Sequence, residues 1–241
     1  MRYAPARTDS DATPASIRVV TFNVKFAEDV AGAITVIRDT PELRGADLIA
    51  LQEMDDRGVD RIARALSWNG VYYAASVHPN TGKTFGPALL SPWPITRGWK
   101  VLLPHQGYAR AQRRVATGAE VLIGRLRVRA YSVHLEMLLR MSEEKRTDQA
   151  RAVLEDAADW PGPVVVAGDL NDDRMGTIFE SRGYAWVTRG VPRTVGIFSY
   201  DHIFARGLGG SPGEPASGVA DARGSSDHRP VWAVVEVPEG R

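Results

Sequence analysis

Side chains that can bind a cation, move a proton or hold an anion occur in six short stretches spread along the chain. These stretches are TFN with Asn23, LQE with Glu53, SVHLE with His134, AGDLND with Asp169 and Asn171, SYDHIF with Asp201, and SSDHRP with Asp227 and His228. Taken singly, such residues are more often solvated or structural. Hydrolysis of a phosphodiester needs all three abilities, because a cation, a base for water and hydrogen-bond donors must act on one anion.

Most of these stretches lie at the ends of segments whose residue pattern predicts a β-strand. IRVVTFN and DLIALQE are short apolar runs, each followed by a helical stripe that begins at Val30 and at Val59. They predict two strand and helix units. Polar residues at the ends of such strands leave the core and can meet in one crevice.

The rest of the chain predicts more strands and one further helix. Strand-like segments separated by Gly, Pro and Asn are GVYYAASVH, GPALLS, ITRGWKVLL, RRVATGAEVLI and RLRVRAYSVHLE. A helix with Ser142 as its N-cap follows, and GPVVVAGDLND, SYDHIFA and RPVWAVVEV predict the last strands. The expected fold is α/β, a four-layer α/β/β/α sandwich of two packed mixed sheets flanked by helices.

The length of 241 residues suits one domain. We expect a flexible tail over residues 1–16, which contains no apolar run typical of a signal peptide, and a catalytic domain over residues 17–238. The segment Gly207 to Gly218 predicts a surface loop. No run of about 18 apolar residues occurs, so membrane insertion is not expected.

The order TFN, LQE, HLE, GDLND, DHIF and SDHRP resembles the motif series of the endonuclease/exonuclease/phosphatase superfamily, which includes DNase I-like nucleases, inositol polyphosphate 5-phosphatases and neutral sphingomyelinases. The resemblance extends from about Arg18 to Val237, and GDLN and SDH are its most specific parts. It implies the same four-layer sandwich and hydrolysis of phosphate esters with Mg²⁺, for which Mn²⁺ is a plausible substitute.

The resemblance also implies a metal site. Glu53 is expected as the main Mg²⁺ ligand, since a hard cation prefers carboxylate oxygen, with Asn23 and Asp227 as further ligands. Many relatives carry Asp or Asn two residues after the first Asn, where this chain has Lys25. We therefore expect one fully formed Mg²⁺ site.

Roles for the catalytic residues follow from the same resemblance. Asp169 would orient or deprotonate the attacking water, and His228, fixed by Asp201, would contact the scissile phosphate. His134 would supply a further donor or the proton for the leaving oxygen. The residues expected to bind phosphate or substrate oxygens are Asn23 and Asn171. His202 neighbours Asp201 on a strand, so it must point to the opposite face and is expected to be structural.

An arginine-rich segment offers the main clue to the substrate. Arg110, Arg113 and Arg114 in GYARAQRRVATG could bind a nucleic-acid backbone through their planar donors, and Lys83, Arg146 and Arg151 could extend the patch. A solvated basic edge is nearly as well supported. DNA is thus the first expected substrate, as for an endonuclease or exonuclease.

Two alternatives stay open. Trp93 and Trp99 in the hairpin-like SPWPITRGW favour a lipid phosphodiesterase if they are exposed, and a phosphatase could use the same site. A binding relative without catalysis is less favoured, because each motif keeps its ionisable groups. Experiments on substrates must separate these classes.

Composition limits the setting of the protein. Thirty basic and 29 acidic residues give a net charge of +1, so a polyanion must meet a local patch. The chain has no cysteine, which excludes disulfides, thiolate metal sites and a cysteine nucleophile. We expect a cytoplasmic monomer, and the sequence leaves secretion open.

Overall fold

The computed structural model describes residues 12–77, 82–108, 113–210 and 217–238. The strands are β1 (Ser16–Asn23), β2 (Leu48–Met54), β3 (Asn69–Tyr72), β4 (Ser76–Val77), β5 (Thr84–Ser91), β6 (Ile95–Leu102), β7 (Val115–Ile123), β8 (Leu126–His134), β9 (Val164–Asp169), β10 (Ala185–Trp186), β11 (Asp201–Arg206), β12 (Gly209–Gly210), β13 (Ser217–Val219) and β14 (Val231–Glu236). The α-helices are α1 (Val30–Asp39), α2 (Asp56–Leu66), α3 (Glu143–Asp156) and α4 (Gly176–Glu180), and short 3₁₀ turns cover Lys25–Ala27, Leu138–Arg140 and Asp173–Met175.

The strands of the described ranges form two mixed sheets. The first has eight strands in the order β12-β14-β1-β2-β5-β3, with β13 beside β14 and β4 beside β5. The second has six, in the order β10-β11-β9-β8-β7-β6. One pair in each sheet is parallel, β1 with β2 and β8 with β9. The predicted sandwich of mixed sheets flanked by helices is confirmed.

Three apolar layers hold the sandwich together. The central layer packs the inner faces of the sheets through residues such as Val19, Ala50, Val121 and Ile203. The outer layers bury α1 and α2 against the first sheet and α3 against the second. These alternating faces follow from the period of two along each strand.

Buried polar side chains also join the two sheets near the ends of β2 and β8. Gln52 donates through Nε2 to Ser132 Oγ at 3.0 Å, and the Ser132 hydroxyl donates to the carbonyl of Leu51 at 2.9 Å. Thr21 donates to Gln52 Oε1 at 3.2 Å. Because both partners of each bond are buried, this network fixes the relative position of the strand ends that carry the polar motifs.

The structure can be compared with the predictions for the α3 cap, the Gly207 to Gly218 segment and the N-terminal tail. Ser142 caps α3 as predicted, accepting a hydrogen bond from the Lys145 amide at 3.5 Å. The expected loop from Gly207 to Gly218 is wrong at both ends, because β12 and β13 pair there with β14. Of the expected N-terminal tail, Thr13 accepts a hydrogen bond from the Arg125 amide at 3.0 Å, and residues 1–11 lie outside the described ranges. No helix in the described part of the chain is long and apolar enough to cross a bilayer.

Candidate active site

Strand register brings three of the polar residues into one row. In the parallel pair β8 and β9, His134 lies beside Asp169, and in the antiparallel pair β9 and β11, Asp169 lies beside Asp201. Residues in register share a face of the sheet, so these three side chains project together. Asn23 reaches them from the first sheet, donating through Nδ2 to Asp169 Oδ2 at 3.0 Å.

The turn after β9 aims the Asp169 carboxylate. A Cβ at Gly168 would lie 2.0 Å from the carbonyl oxygen of Val133, so only glycine allows β8 and β9 to approach this closely. Asn171 has a φ of 53°, which Asn tolerates, and its amide donates to Asp169 Oδ1 at 2.8 Å. Its Nδ2 donates to the Leu135 carbonyl at 3.0 Å, which leaves one N–H of that amide group for substrate.

Glu53 is turned into the same cleft by an irregularity in β2. The register between β2 and β5 shifts between Leu51 and Met54, and Glu53 has a φ of 59°. Its Oε2 accepts a hydrogen bond from the Phe26 amide at 3.1 Å, while its Oε1 approaches His134 Nε2 only at 3.9 Å. Burial raises the pKa of the Glu53 carboxyl, an effect partly offset by the charge of Arg114.

His228 and Asp201 form a partly buried ion pair in the same cleft. His228 Nδ1 lies 2.9 Å from Asp201 Oδ2, and its Nε2 lies 3.9 Å from Asp169 Oδ2. Burial alone would lower the pKa of His228, but the Asp201 carboxylate overrides it and raises that pKa to about 10. The imidazole is therefore a cation at neutral pH.

The same charges act on Asp169. Burial, followed by the negative charge of Asp201, raises the pKa of Asp169 to about 7, although His228 opposes the shift. A carboxylate with a pKa near neutrality is suited to accept a proton from water at physiological pH.

His134 is held in the opposite charge state. Arg114 donates through Nη1 to His134 Nδ1 at 3.1 Å, and because a guanidinium has only donors, Nδ1 must be the acceptor. The proton of the neutral ring is then on Nε2, which lies 3.5 Å from Asp169 Oδ2. Burial, with the charge of Arg114, lowers the pKa of His134 well below its usual value, so this ring is a neutral donor.

The charge of Asp201 thus contributes to two pKa values, and its replacement should move both. In Asp201→Asn the negative charge that raises the pKa of Asp169 and of His228 is lost, so both pKa values fall. We expect both limbs of a bell-shaped pH profile of kcat/KM to move to lower pH. Thr188→Val, which changes a partner of His202 on the other face of β11, should leave the limbs in place. An unmoved profile in Asp201→Asn would exclude this electrostatic account.

Two sets of ligand atoms in the cleft could bind a divalent cation. The ligand atoms of Asp169, Asp201 and His228 lie within 4.8 Å of one another, but a protonated His228 bonded to Asp201 cannot ligate a metal through that nitrogen. Glu53 is the better candidate, since its largely buried carboxylate has no Arg or Lys within ion-pair distance among the described residues. Asp227 is exposed beside His228, and Ser226 ties this loop to Asn23 by donating to its carbonyl at 2.7 Å.

The predicted basic edge is not formed as expected. Arg114 is 8% exposed and is bonded to Glu136 and His134, and Arg146 is fully buried with Nη1 at 2.8 Å from Asp172 Oδ2. The expectation that these two belong to an exposed patch is therefore wrong. Arg113 is exposed, Arg110 lies outside the described residues, and phosphate binding by either stays a prediction.

The two tryptophans proposed for lipid contact are also engaged elsewhere. Trp93 is 6% exposed and donates through Nε1 to Asp47 at 2.7 Å. Trp99 donates to Asp156 at 2.8 Å, and the Arg129 guanidinium covers its ring. This hairpin therefore offers no exposed pair of indoles to a membrane.

Residues that sequence reasoning missed lie around the row. Glu136 holds Arg114 with both oxygens, at 3.1 and 3.4 Å, and so orients His134 indirectly. Phe198 stacks on Tyr200 at 4.8 Å and 10° in the loop before Asp201. Val195 in that loop forms a β-bridge with His228. For Val195 and Phe198 the available signal was closeness in sequence to Asp201, and for Glu136 it was closeness to His134.

Comparison with known proteins identifies relatives of this arrangement. The model of the Endonuclease/Exonuclease/phosphatase family matches residues 20–228. An endonuclease/exonuclease/phosphatase from Beutenbergia cavernae is similar in structure, with a TM-score of 0.72 and 22% identity over 93% of this chain and 72% of that one. No curated protein sequence matches significantly.

Two further solved structures have substrates in their names. TDP2 of D. rerio, complexed with a single strand DNA product, has a TM-score of 0.70 and 18% identity over 93% of this chain and 100% of that one. A mannosyl-6-phosphatase of Bacteroides thetaiotaomicron has a TM-score of 0.66 and 16% identity over 91% and 98% of the two chains. At these identities the similarity shows a shared fold.

Proposed function

The chain belongs to the endonuclease/exonuclease/phosphatase family of phosphoric ester hydrolases, and from this we propose that it hydrolyses phosphodiester bonds with Mg²⁺, with DNA as its substrate. The observation that carries the proposal is the geometry of the buried Asp169 carboxylate, whose Oδ2 lies 3.9 Å from His228 Nε2, while His228 Nδ1 lies 2.9 Å from Asp201 Oδ2. A base and a cation side by side are what attack on a phosphate anion requires.

Each residue of the row has a task in this reaction. Asp169 accepts the proton of the attacking water, and Asn23 and the Asn171 amide hold its two oxygens in place. His228 binds a nonbridging phosphate oxygen through Nε2, with Asp201 keeping the ring charged. His134, as a neutral ring protonated on Nε2, donates a hydrogen bond through that N–H to the leaving oxygen and so stabilises its developing negative charge.

We propose Glu53 as the main metal ligand, with Asn23 and Asp227 beside it. Its largely buried carboxylate takes a hydrogen bond from the Phe26 amide, and no Arg or Lys of the described structure lies within ion-pair distance of it, which fits a bound cation. When bound, Mg²⁺ neutralises charge on the phosphate and on the leaving oxygen. Mn²⁺ has similar ligand preferences and is expected to substitute.

The loop before Asp201 supports a nucleic acid as substrate. Phe198 is 49% exposed and stacked on Tyr200, so one face of the pair can receive a base. Arg193 and Arg229 are both exposed, and the Arg229 amide is bonded to the same loop through the Thr194 carbonyl at 2.8 Å. Aromatic rings interleaved with arginine are typical of surfaces that bind single strands.

A phosphatase is the second candidate, and one observation favours it. Because Arg114 and Arg146 are buried, fewer cations than expected can contact the backbone of a long polyanion. A small phosphomonoester would need contacts only with the row of His134, Asp169 and Asp201 and with His228 beside it. The similar fold of a mannosyl-6-phosphatase is compatible with this reading.

A panel of substrates distinguishes nuclease activity from phosphatase activity. Supercoiled plasmid, single-stranded oligonucleotides, sugar phosphates and sphingomyelin vesicles are incubated with the wild-type protein and Mg²⁺. We expect cleavage of DNA that EDTA abolishes and that Asp169→Ala reduces to background. Release of phosphate from monoesters alone would establish the phosphatase instead, and turnover of no substrate would refute both.

A further inference from the structure

Helix α3 directs two polar side chains into the interior of the protein. Arg146 and Gln149, one turn apart, are fully buried, although their neighbours on this face, such as Ala150 and Val153, are apolar. Removing a guanidinium from water is unfavourable, and apolar residues in place of a buried ion pair are often neutral or stabilising. Stability alone therefore does not account for these two side chains, and their partners indicate another role.

Arg146 contacts the loop that follows β9. Its Nη1 lies 2.8 Å from Asp172 Oδ2, and its Nε and Nη2 have no hydrogen-bond partner among the described residues. Asp172 directly follows Asn171, whose left-handed backbone, with a φ of 53°, aims its amide at Asp169 Oδ1 at 2.8 Å. The ion pair therefore fixes the residue next to the turn that holds the Asp169 carboxylate.

The other contacts of the Asp172 side chain stay within its own loop. Arg174 donates through Nε to Asp172 Oδ1 at 3.0 Å and through Nη2 to Asp172 Oδ2 at 2.8 Å. The Arg174 side chain is 56% exposed and lies in the same loop, so it can move together with Asp172. Arg146 belongs to a helix that packs against the second sheet, and it is the residue that ties Asp172 to the rest of the fold.

Gln149 contacts the loop that follows β8. Its Oε1 accepts a hydrogen bond from the Glu136 amide at 2.9 Å, and its Nε2 donates to the Pro104 carbonyl at 3.1 Å. Glu136 holds Arg114 with both carboxylate oxygens, and Arg114 donates to Nδ1 of His134. One turn of α3 thus reaches both loops from which the parallel strands β8 and β9 present their catalytic candidates.

We propose that Arg146 and Gln149 are positioning residues, a pair that we name the α3 brace. Through Asp172, Arg146 holds the turn that orients the carboxylate for water activation. Through Glu136, Gln149 holds the arginine that orients the His134 ring. The brace rests on the proposed function, and its expected effect is on the rate of the chemical step. A displacement of about 1 Å between reacting groups can lower a rate about 10²-fold, so contacts remote from the substrate can control kcat.

Kinetics test the Arg146 half of the brace with two variants. Arg146→Met leaves the buried Asp172 carboxylate without its buried counter-charge and should lower Tm. Arg146→Met combined with Asp172→Asn removes both charges, and the new side chain can still accept the hydrogen bond of the Arg174 amide, so Tm should recover. Its kcat on a single-stranded oligonucleotide with Mg²⁺ should stay up to about 10²-fold below that of wild type, with KM within about twofold. Recovery of kcat together with Tm would show a purely structural pair and overturn the proposal.

Gln149→Met tests the other half. Methionine has a similar length but cannot accept the hydrogen bond of the Glu136 amide, so kcat should fall while KM stays within about twofold of wild type. Glu155→Met is the matched control, because Glu155 is exposed on the same helix and methionine has a similar helix propensity. Its kinetics should match those of wild type. An equal loss of kcat in Glu155→Met would assign the effect to α3 as a whole and not to the brace.

NMR tests the brace without any substrate. The Asn171 amide, bonded to Asp169, should exchange its hydrogen faster in the double variant than in wild type, and Gln149→Met should leave this exchange unchanged. The ring nitrogen shifts of His134, which report its bond with Arg114, should move in Gln149→Met. Unchanged exchange and unchanged shifts would overturn the brace even if esters are cleaved. Both changes in a protein that cleaves no ester would support the brace and refute the proposed function.

Discussion

Asp169→Asn is expected to lower kcat by a factor of about 10² to 10⁴, the range that a positioned general base contributes. The asparagine side chain has nearly the same shape as aspartate and keeps one oxygen. This oxygen can accept the hydrogen bond that the backbone amide of Asn171 donates to Asp169 Oδ1 at 2.8 Å in the wild type. It cannot accept a proton from water, so the loss falls on the chemical step. Single-turnover rates at saturating substrate measure this loss without the contribution of product release.

Asp173→Asn is the matched control for this change. Asp173 is an exposed carboxylate four residues further along the same loop, outside the row. Its replacement removes the same charge from the same region and should leave kcat within about twofold, as expected for a surface substitution without a defined contact. If Asp173→Asn lost as much activity as Asp169→Asn, charge in the loop rather than proton transfer would explain both results.

Glu53→Gln is expected to remove Mg²⁺ binding and to lower kcat/KM by about 10³, since metal catalysis contributes several kcal/mol. Glutamine still offers an oxygen to the Phe26 amide, so the fold of the turn is retained. Only the charge that attracts a cation is lost. Isothermal titration with Mg²⁺ and the Mg²⁺ dependence of the rate measure the two effects separately.

Glu28→Gln provides the comparison for Glu53. Glu28 is exposed on the adjoining segment and is paired with Lys25 at 3.3 Å. An exposed pair of this kind contributes little, so metal affinity and rate should match those of wild type. Retention of full Mg²⁺ affinity in Glu53→Gln would place the cation elsewhere, with the trio of Asp169, Asp201 and His228 as the next donor set.

The positions of the candidate catalytic residues on strands could be predicted, because each ends or begins an apolar run whose pattern is local. His134 and Asp169 do end β8 and β9, and Asp201 begins β11. The row that they form depends on register between strands, which apolar patterning alone does not encode. The ordered motifs supplied the missing information through the resemblance to a family.

Contacts between distant residues explain the wrong expectations. Arg114 looked like part of a solvated edge, but Glu136, at a separation of 22 residues, holds it inside the cleft. Trp93 was a candidate for membrane contact if exposed, but its indole nitrogen donates a hydrogen bond to Asp47, at a separation of 46 residues. Local sequence does not predict such distant hydrogen-bond partners, because arginine and tryptophan side chains occur both at the surface and in the interior.

The left-handed turn at Phe26 was unpredictable for a different reason. Local propensity argues against a φ of 52° at Phe26, and tertiary contacts, among them those of its amide with Glu53 and of its ring with Phe85, stabilise this conformation. Sequence rules fail most often at functional sites, where local strain is offset by the surrounding structure. Phe26 and Glu53, both left-handed and bonded to each other, are such a case.

Paramagnetic broadening by Mn²⁺ tests most directly whether one cation site brings Glu53, His134 and His228 together. Mn²⁺ is added below equimolar amounts while the imidazole signals of His134 and His228, assigned by single substitutions, are followed by NMR. Both signals should broaden together in wild type, and neither should broaden in Glu53→Gln. Broadening of only one histidine, or equal broadening in Glu53→Gln, would contradict a shared site centred on Glu53.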